Sequence, residues 1–117
     1  MPQEKPGVPE LDVARVRRWC RGRVPAEVLD QVRVECDVAG RDLTIVERRP
    51  PWRAEPEEEW TRTPVARLRY LTSRGVWTLY WSDSDAQWRR YQEVPPSPDV
   101  ESLLTEIDRD PTALFWG

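Results

Sequence analysis

The chain contains no histidine and a single lysine, Lys5, among its 117 residues. Without an imidazole it cannot form a Ser-His-Asp triad, a Cys-His pair or an ordinary zinc-hydrolase site. Lys5 lies in a polar, proline-rich N-terminal stretch, which is a poor setting for a Schiff-base amine. Only carboxylate or arginine chemistry remains open, so the sequence predicts no catalytic residue and favours a role other than catalysis.

Cysteine is also scarce, because Cys20 and Cys36 are the only two in the chain. Two cysteines cannot build a disulfide framework, and without histidine they cannot complete an ordinary structural zinc site. We expect both thiols to be reduced and buried. The sequence predicts no metal site and no cofactor.

Long hydrophobic runs are missing as well. No segment approaches the roughly 18 consecutive apolar residues of a membrane-spanning helix, and the N-terminal stretch lacks a basic region followed by an apolar one. We therefore expect a soluble, cytoplasmic protein with no membrane partner. The 18 basic and 21 acidic residues nearly cancel to a net charge of −3, which argues against a general binder of polyanions.

Tryptophan, in contrast, is abundant, with seven in the chain. Trp77, Trp81 and Trp88 lie in one stretch with the two-residue period of a strand. A buried tryptophan removes roughly 150 to 250 Å² of surface from water. The chain is therefore predicted to have an aromatic core carried by a sheet.

Apolar spacing predicts two helical segments near the N-terminus. The first runs from about Pro9 to Arg21, and a short second helix follows from Pro25 to Leu29. Residues 1–8 are polar and proline-rich, so we expect a flexible lead-in there and a single domain over residues 9–117.

The C-terminal helix has the clearest amphipathic pattern. Ser97 is predicted as its N-cap with Pro98 in the first turn, and Asp110-Pro111 ends it. The apolar residues 114–116 that follow are expected to pack back against the domain.

Five segments have the period of a strand, and proline pairs or polar turns separate them. They are residues 32–38, 43–47, 65–71, 76–83 and 87–94. Together these elements predict an α+β fold in which an antiparallel five-stranded meander is covered on one face by the helices.

The third and fourth strands have a register that explains both of their patterns. If Leu71 pairs with Val76, one face is unbroken and apolar, with Ala66, Leu68, Tyr70, Trp77, Leu79 and Trp81. The opposite face then carries Arg67, Arg69, Thr78, Tyr80 and Ser82. For the fifth strand, either Trp88 or Tyr91 faces the core, because a one-residue shift reverses the assignment.

Four motifs resemble a known bacterial family. They are Glu47-Arg48-Arg49-Pro50-Pro51-Trp52, Ala66-Arg67-Leu68-Arg69-Tyr70, Trp77-Thr78-Leu79-Tyr80-Trp81 and the ending Asp110-Pro111-Thr112-Ala113-Leu114-Phe115-Trp116-Gly117. In this order they resemble the family of domain of unknown function three thousand and twenty-four, from about Leu11 to the C-terminus. The resemblance implies no established activity. Relatives often have a histidine where this chain has Arg89, so any role of that imidazole is absent here.

Glu47 is the carboxylate whose predicted position is most unusual, because it points toward the core. Alternation from Leu43 and Ile45 points it toward the core, where it needs an arginine partner or a shifted pKa. One interpretation is an acidic group that anchors a ligand beside Arg48 and Trp52. The favoured interpretation is a structural ion pair, because such pairs perturb carboxylates as readily as active sites do.

Other acidic residues also admit two interpretations. Glu35 and Asp37 share a strand face and resemble a carboxylate pair, but alternating charges more often mark a solvated face. Asp83-Ser84-Asp85 resembles the start of a calcium loop, yet it lacks the glycine and the bidentate glutamate of that motif. We interpret it as a polar turn.

The sequence leaves three candidate functions, of which two are binding functions. Enzymatic chemistry around Glu47 is the third and least favoured. The first is a protein-interaction or ligand-binding module, with another protein or a second copy of the chain as its partner, because tryptophan, tyrosine and arginine are enriched at binding hot spots. The second is nucleic-acid binding by an arginine and aromatic face that includes Arg67, Arg69, Tyr80 and Arg89. The candidate interaction residues are Glu47, Arg48, Arg49, Trp52, Trp60, Arg67, Arg69, Tyr80 and Arg89. The candidate basic patch is Arg15, Arg17, Arg18, Arg21 and Arg23.

Overall fold

The computed structural model describes residues 7–51 and 59–116. The helices are α1 (Glu10–Gly22), one 3₁₀ turn at Ala26–Val28, and α2 (Val100–Arg109). The strands are β1 (Arg33–Ala39), β2 (Asp42–Arg49), β3 (Thr61–Leu71), β4 (Val76–Ser82) and β5 (Trp88–Arg90). No helix in these two segments is long and apolar enough to cross a membrane.

The strands form one antiparallel sheet in the order β1-β2-β3-β4-β5, so each strand pairs with its neighbours in sequence. The turns of the β1-β2 and β3-β4 hairpins contain Gly40 and Gly75 at φ values of 58° and 64°. Glycine adopts this left-handed conformation without the steric cost that a side chain brings. The meander and its two flanking helices confirm the predicted α+β class.

The register of β3 and β4 is also confirmed. Leu71 pairs with Val76 and Tyr70 with Trp77. Trp77 is fully buried, whereas Trp81 is half-buried and packs against the edge of the core. The predicted apolar surface is therefore the core face of the sheet.

Both helices pack on this core face. Val16 and Cys20 from α1 meet Leu103 and Ile107 from α2 in one cluster with the apolar residues of the strands. The orientation of the fifth strand is settled by Tyr91, which is buried and whose N–H donates to the carbonyl of Leu79. Trp88 pairs with Ser82 and therefore points to the opposite face.

The third strand is longer than predicted, because β3 begins at Thr61 and continues through Pro64. Proline cannot donate a hydrogen bond to a neighbouring strand. Pro64 is tolerated because it lies where the β2-β3 register shifts, and because β4 pairs with β3 only from Arg67 onward. The fifth strand is shorter than predicted and ends at Arg90.

The N-cap prediction for the C-terminal helix was wrong. Asp99 caps α2 by accepting a hydrogen bond from the Glu101 N–H at 3.1 Å. The backbone N–H and C=O of Ser97 both pair with Trp77, so Ser97 belongs to the sheet and precedes the helix. The predicted end of the helix is confirmed, with Asp110 as its left-handed C-cap.

The C-terminal residues pack back as expected. Phe115 is buried with its ring 4.9 Å from that of Tyr91, and the Trp116 indole N–H donates to the Ile107 carbonyl at 2.9 Å. At the other end of the chain, Val8 is buried in the core, so packing begins inside the predicted lead-in of residues 1–8. Residues 1–6 lie outside the described part of the chain.

Candidate functional site

The second face of the sheet is the surface on which several predicted site residues meet. Both helices lie on the other face, and within residues 7–51 and 59–116 no helix or strand covers this one. Directly paired residues of antiparallel strands share a face, so the register gives the members of what we call the open face. They are Arg33, Glu35, Asp37, Ala39, Asp42, Thr44, Val46, Arg48, Arg62, Pro64, Arg67, Arg69, Leu71, Val76, Thr78, Tyr80, Ser82, Trp88 and Arg90.

Arginine and aromatic side chains are stacked across the open face. The guanidinium of Arg67 lies 4.4 Å from the centre of the Trp88 ring. Arg69 lies 5.4 Å from the centre of the Tyr80 ring. Each such contact contributes about 0.5 to 1 kcal/mol at an exposed site. The stacks hold four large side chains in fixed positions on three adjacent strands.

Arginines of the open face are paired with carboxylates from β1 and β2. Arg69 donates two hydrogen bonds to Asp42, at 2.8 and 3.3 Å, and this pairing raises the pKa of Arg69. Arg62 donates from two nitrogens to a single oxygen of Asp37, Oδ2, at 3.0 and 2.6 Å. The bidentate Arg69-Asp42 pair, with one hydrogen bond to each carboxylate oxygen, fixes the plane of the Arg69 guanidinium. Much of the positive charge of the open face is therefore compensated locally.

Two smaller side chains lie beneath this layer. Thr44 is buried and its hydroxyl accepts a hydrogen bond from Arg67 Nε at 3.0 Å, while Val46 is fully buried. Arg48 lies 3.6 Å from Glu35, and its Nε is buried without a hydrogen-bond partner among the described residues. The predicted candidates Arg48, Arg67, Arg69 and Tyr80 thus share one surface.

Three other predicted candidates are not on this surface. Glu47 and Arg49 pair with Thr63 and Thr61 on the core side of the sheet, and Arg89 pairs with Trp81 there. The grouping of Arg89 with Arg67 and Tyr80 was therefore wrong by one residue of register. Arg89 instead donates to Asp83 at 2.7 Å, and this contact lowers the pKa of Asp83.

Glu47 has the arginine partner that its position required. It is partly buried, and its Oε1 accepts a hydrogen bond from Arg49 Nε at 2.9 Å. The expected ion pair is confirmed, and its arginine comes from the same strand, two residues from Glu47. Arg48, the neighbour proposed to act with Glu47, lies on the opposite face of the sheet.

Trp52 and Trp60 flank the glutamate-rich stretch between β2 and β3, and the structure describes only Trp60. Trp60 is half-buried, with the Arg33 guanidinium 4.4 Å from the ring centre, so it extends the series of stacks at one end of the open face. Trp52 lies outside the described residues.

The basic patch on α1 is partly neutralised by carboxylates of α2. Arg18 lies 3.7 Å from Glu101, and Arg23 forms an ion pair with Asp108. Arg15 pairs with Asp12 at 2.7 Å. Arg17 and Arg21 form no ion pair with a carboxylate of the described residues and border a groove beside β1.

Both cysteines are free, but only Cys20 is fully buried, since Cys36 is half-buried. Burial raises the pKa of the Cys20 thiol to about 12, with a further contribution from the nearby Cys36. Burial also raises the pKa of Cys36 to about 11. The thiolate is the nucleophilic form of cysteine, and these raised pKa values disfavour it near neutral pH in both residues.

Sequence reasoning missed the role of Trp88 and the acidic partners Asp37 and Asp42. Trp88 was ambiguous because only the β4-β5 register decides its face. Asp42 and Arg69 are 27 residues apart, and their pairing depends on the β2-β3 register, which no tight turn fixes. The available signal was the alternation of charge along β1 and β2, which marked this face as polar but did not identify the partners.

Comparison with family models adds one match, over residues 3–117, to a family described as Domain of unknown function (DUF3024). The chain belongs to this family. Membership of the DUF3024 family, which four motifs predicted, is thus confirmed for the chain as a whole. The assignment of each separate motif to the family stays a prediction. No curated protein and no solved structure gives a significant match to the DUF3024 chain.

Proposed function

We propose that this protein is a non-enzymatic protein-interaction module that binds a protein partner through the open face. The observation that carries the proposal is the ordered layer formed by the Arg67-Trp88 and Arg69-Tyr80 stacks, on a face that no helix in the described part of the chain covers. Tryptophan, tyrosine and arginine are the side chains most enriched at binding hot spots. Stacking and ion pairs already fix these side chains in the free protein. Binding of a partner therefore costs less of their conformational entropy.

The charge of the open face favours a protein over a nucleic acid. Asp37, Asp42 and Glu35 place carboxylates beside the arginines, so a phosphate backbone would meet repulsion and would have to displace existing ion pairs. The guanidinium of Arg67 also occupies one face of the Trp88 ring, and a ring face in contact with a guanidinium is not free to stack on a base.

The enzymatic alternative at Glu47 has weaker support. Its carboxylate is engaged by Arg49, and Arg48 lies across the sheet from it. An ion pair that joins neighbouring positions of one strand explains why the carboxylate is tolerated when partly buried. We therefore assign Glu47 a structural role at the end of β2.

Photo-crosslinking in the native cell tests the proposal. A benzophenone amino acid at Thr78, on the open face beside Tyr80, is expected to form a discrete adduct with a protein. The same group at Thr105, exposed on α2, serves as the control position. The mass of the adduct identifies the partner, and an adduct of two chains identifies it as a second copy.

A second variant connects the adduct to the stacks. Trp88→Ala should abolish the adduct at Thr78, whereas Arg74→Gln, in the exposed β3-β4 turn, should leave it unchanged. Equal adducts at Thr78 and Thr105, or an adduct that survives loss of Trp88, would contradict the proposal. An adduct with nucleic acid alone would support the second binding function instead.

A further inference from the structure

A groove between α1 and β1 lies at the edge of the sheet and does not belong to the open face. It encloses about 500 Å³ and is lined by the apolar side chains of Val8, Val13 and Val38. Arg17 and Arg21 form its rim together with Glu10. The side chain of Val38 is 38 % exposed, so an apolar group is accessible to a ligand there.

The groove continues along the strand. Arg17 and Arg21 also border a second depression of about 200 Å³, whose other walls include Val34 and Cys36. Val34, Cys36 and Val38 are alternate residues of β1 and face the same side of the sheet. Their two-residue spacing matches that of an extended peptide lying alongside them.

The first strand is an edge strand. It pairs with β2 on one side, and in the described part of the chain no strand pairs with its other side. An exposed edge offers backbone N–H and C=O groups to a further strand. Edge addition provides backbone hydrogen bonds, while pockets for alternate side chains provide specificity.

The charge of the rim indicates which peptide fits. Arg15 and Arg18 of α1 and Arg23, directly after it, each have a carboxylate partner, whereas Arg17 and Arg21 have none among the described residues. These two arginines are four residues apart and therefore lie on one side of the helix. They leave a positive charge above the apolar floor that Glu10 only partly offsets.

We propose that β1 and the adjoining groove bind an extended peptide segment of another protein, in which every second residue is, in turn, aliphatic and acidic. Residues two apart in a strand face the same side, so these side chains all point toward α1 when the segment adds to the free edge of β1. The aliphatic side chains then enter the groove beside Val13 and Val38, and the carboxylates pair with Arg17 and Arg21. This site is separate from the open face and does not depend on the function proposed for it.

Fluorescence polarisation tests this proposal with a short labelled peptide that repeats valine, threonine, glutamate and threonine, so that valine and glutamate face the same side of the strand. The peptide is expected to bind, and Arg17→Gln and Arg21→Gln should each weaken binding by about fivefold. Val38→Asp should weaken it further by placing a carboxylate on the apolar floor. The matched controls, Arg74→Gln and Arg109→Gln, remove exposed arginines elsewhere and should leave the affinity unchanged.

Two further peptides separate strand addition from charge attraction. N-methylation of alternate amides removes the backbone donors and should abolish binding. A peptide with glycine in place of valine keeps the charge but should bind weakly. Absence of binding by the glutamate-valine peptide would overturn the proposal, as would binding that is indifferent to the arginine changes or to N-methylation. Trp88→Ala should leave peptide binding intact, since the open face is not involved.

Discussion

Asp12 is a carboxylate that joins α1 to the centre of the sheet. It is only 8 % exposed, and its Oδ2 accepts a hydrogen bond from the Trp77 indole N–H at 2.9 Å. Its Oδ1 accepts from Arg15 at 2.7 Å. A buried indole N–H requires an acceptor, and Asp12 supplies it. The sequence offered no sign of this pair, because the two residues are 65 positions apart.

We expect Asp12→Ala to lower the free energy of unfolding by about 1 to 3 kcal/mol, because the Trp77 N–H then lies buried without an acceptor. Asp12→Asn should cost less, since its amide oxygen can still accept. Chemical denaturation measures both, with the exposed Glu10→Ala as control. Equal stability of Asp12→Ala and the unmodified protein would show that this hydrogen bond does not stabilise the fold.

The two thiols predict a dependence of stability on alkaline pH. Burial raises the pKa values of Cys20 and Cys36 from 9.0 to about 12 and about 11. The stability that this contributes is fully present below pH 9 and is lost as the pH rises toward the folded values. The loss at about pH 10 is on the order of 1 kcal/mol per thiol.

Urea unfolding between about pH 8 and about pH 10 measures this decline. The pKa of Tyr91 is also raised, chiefly by burial, so the thiol contribution is isolated by comparison with Cys20→Ala/Cys36→Ala. The double variant should lose less stability over this pH range than the unmodified protein does. The same decline in both proteins would contradict the assignment to the thiols.

Residues 110–116, which we call the C-terminal strap, pack against α2 and against Tyr91, directly after β5. Asp110 ends the helix in a left-handed conformation, and its carboxylate accepts from the backbone N–H groups of Phe115 and Trp116 at 3.1 and 2.9 Å. These bonds close a loop that places Phe115 against Tyr91 and Trp116 near Arg23. The strap thereby also contacts the end of α1.

Deletion of residues 114–117 should lower the melting temperature by roughly 10 °C, because burial of Phe115 alone is worth about 3 kcal/mol. Removal of residues 1–6, which stops short of the buried Val8, is the matched control and should have a smaller effect. Differential scanning calorimetry compares the two. If the C-terminal deletion melts at the temperature of the full chain, the strap contributes nothing to stability.

Elements joined by tight turns were the ones that the sequence predicted best. The turn through Gly75 fixed the register of β3 and β4, and this placed Arg67, Arg69 and Tyr80 on one face correctly. The β2-β3 pairing was not predictable, because a long connection separates the strands and the register shifts between Ile45 and Val46. The candidate site was accordingly predicted in its central strands and missed where it depends on β2 and β5.

At the scale of the whole molecule, the sheet has two unlike faces. One is covered by α1 and α2 and contains the core, while the other carries stacked arginine and aromatic side chains linked to carboxylates. The nearly balanced charge of the chain is thus distributed as local pairs. Such a face suits a protein partner, because its polar groups are ordered and its charges are mixed.

Oxidative footprinting of aromatic side chains, in the native cell and on the purified protein, tests most directly whether the open face is bound by a partner. Tyr80 and Trp88 lie on that face, and Tyr70 and Trp81 are half-buried counterparts on the core face. The account predicts that Tyr80 and Trp88 are protected in the cell relative to the purified protein, while Tyr70 and Trp81 are oxidised equally in both. Equal oxidation of Tyr80 and Trp88 in the two settings would contradict it.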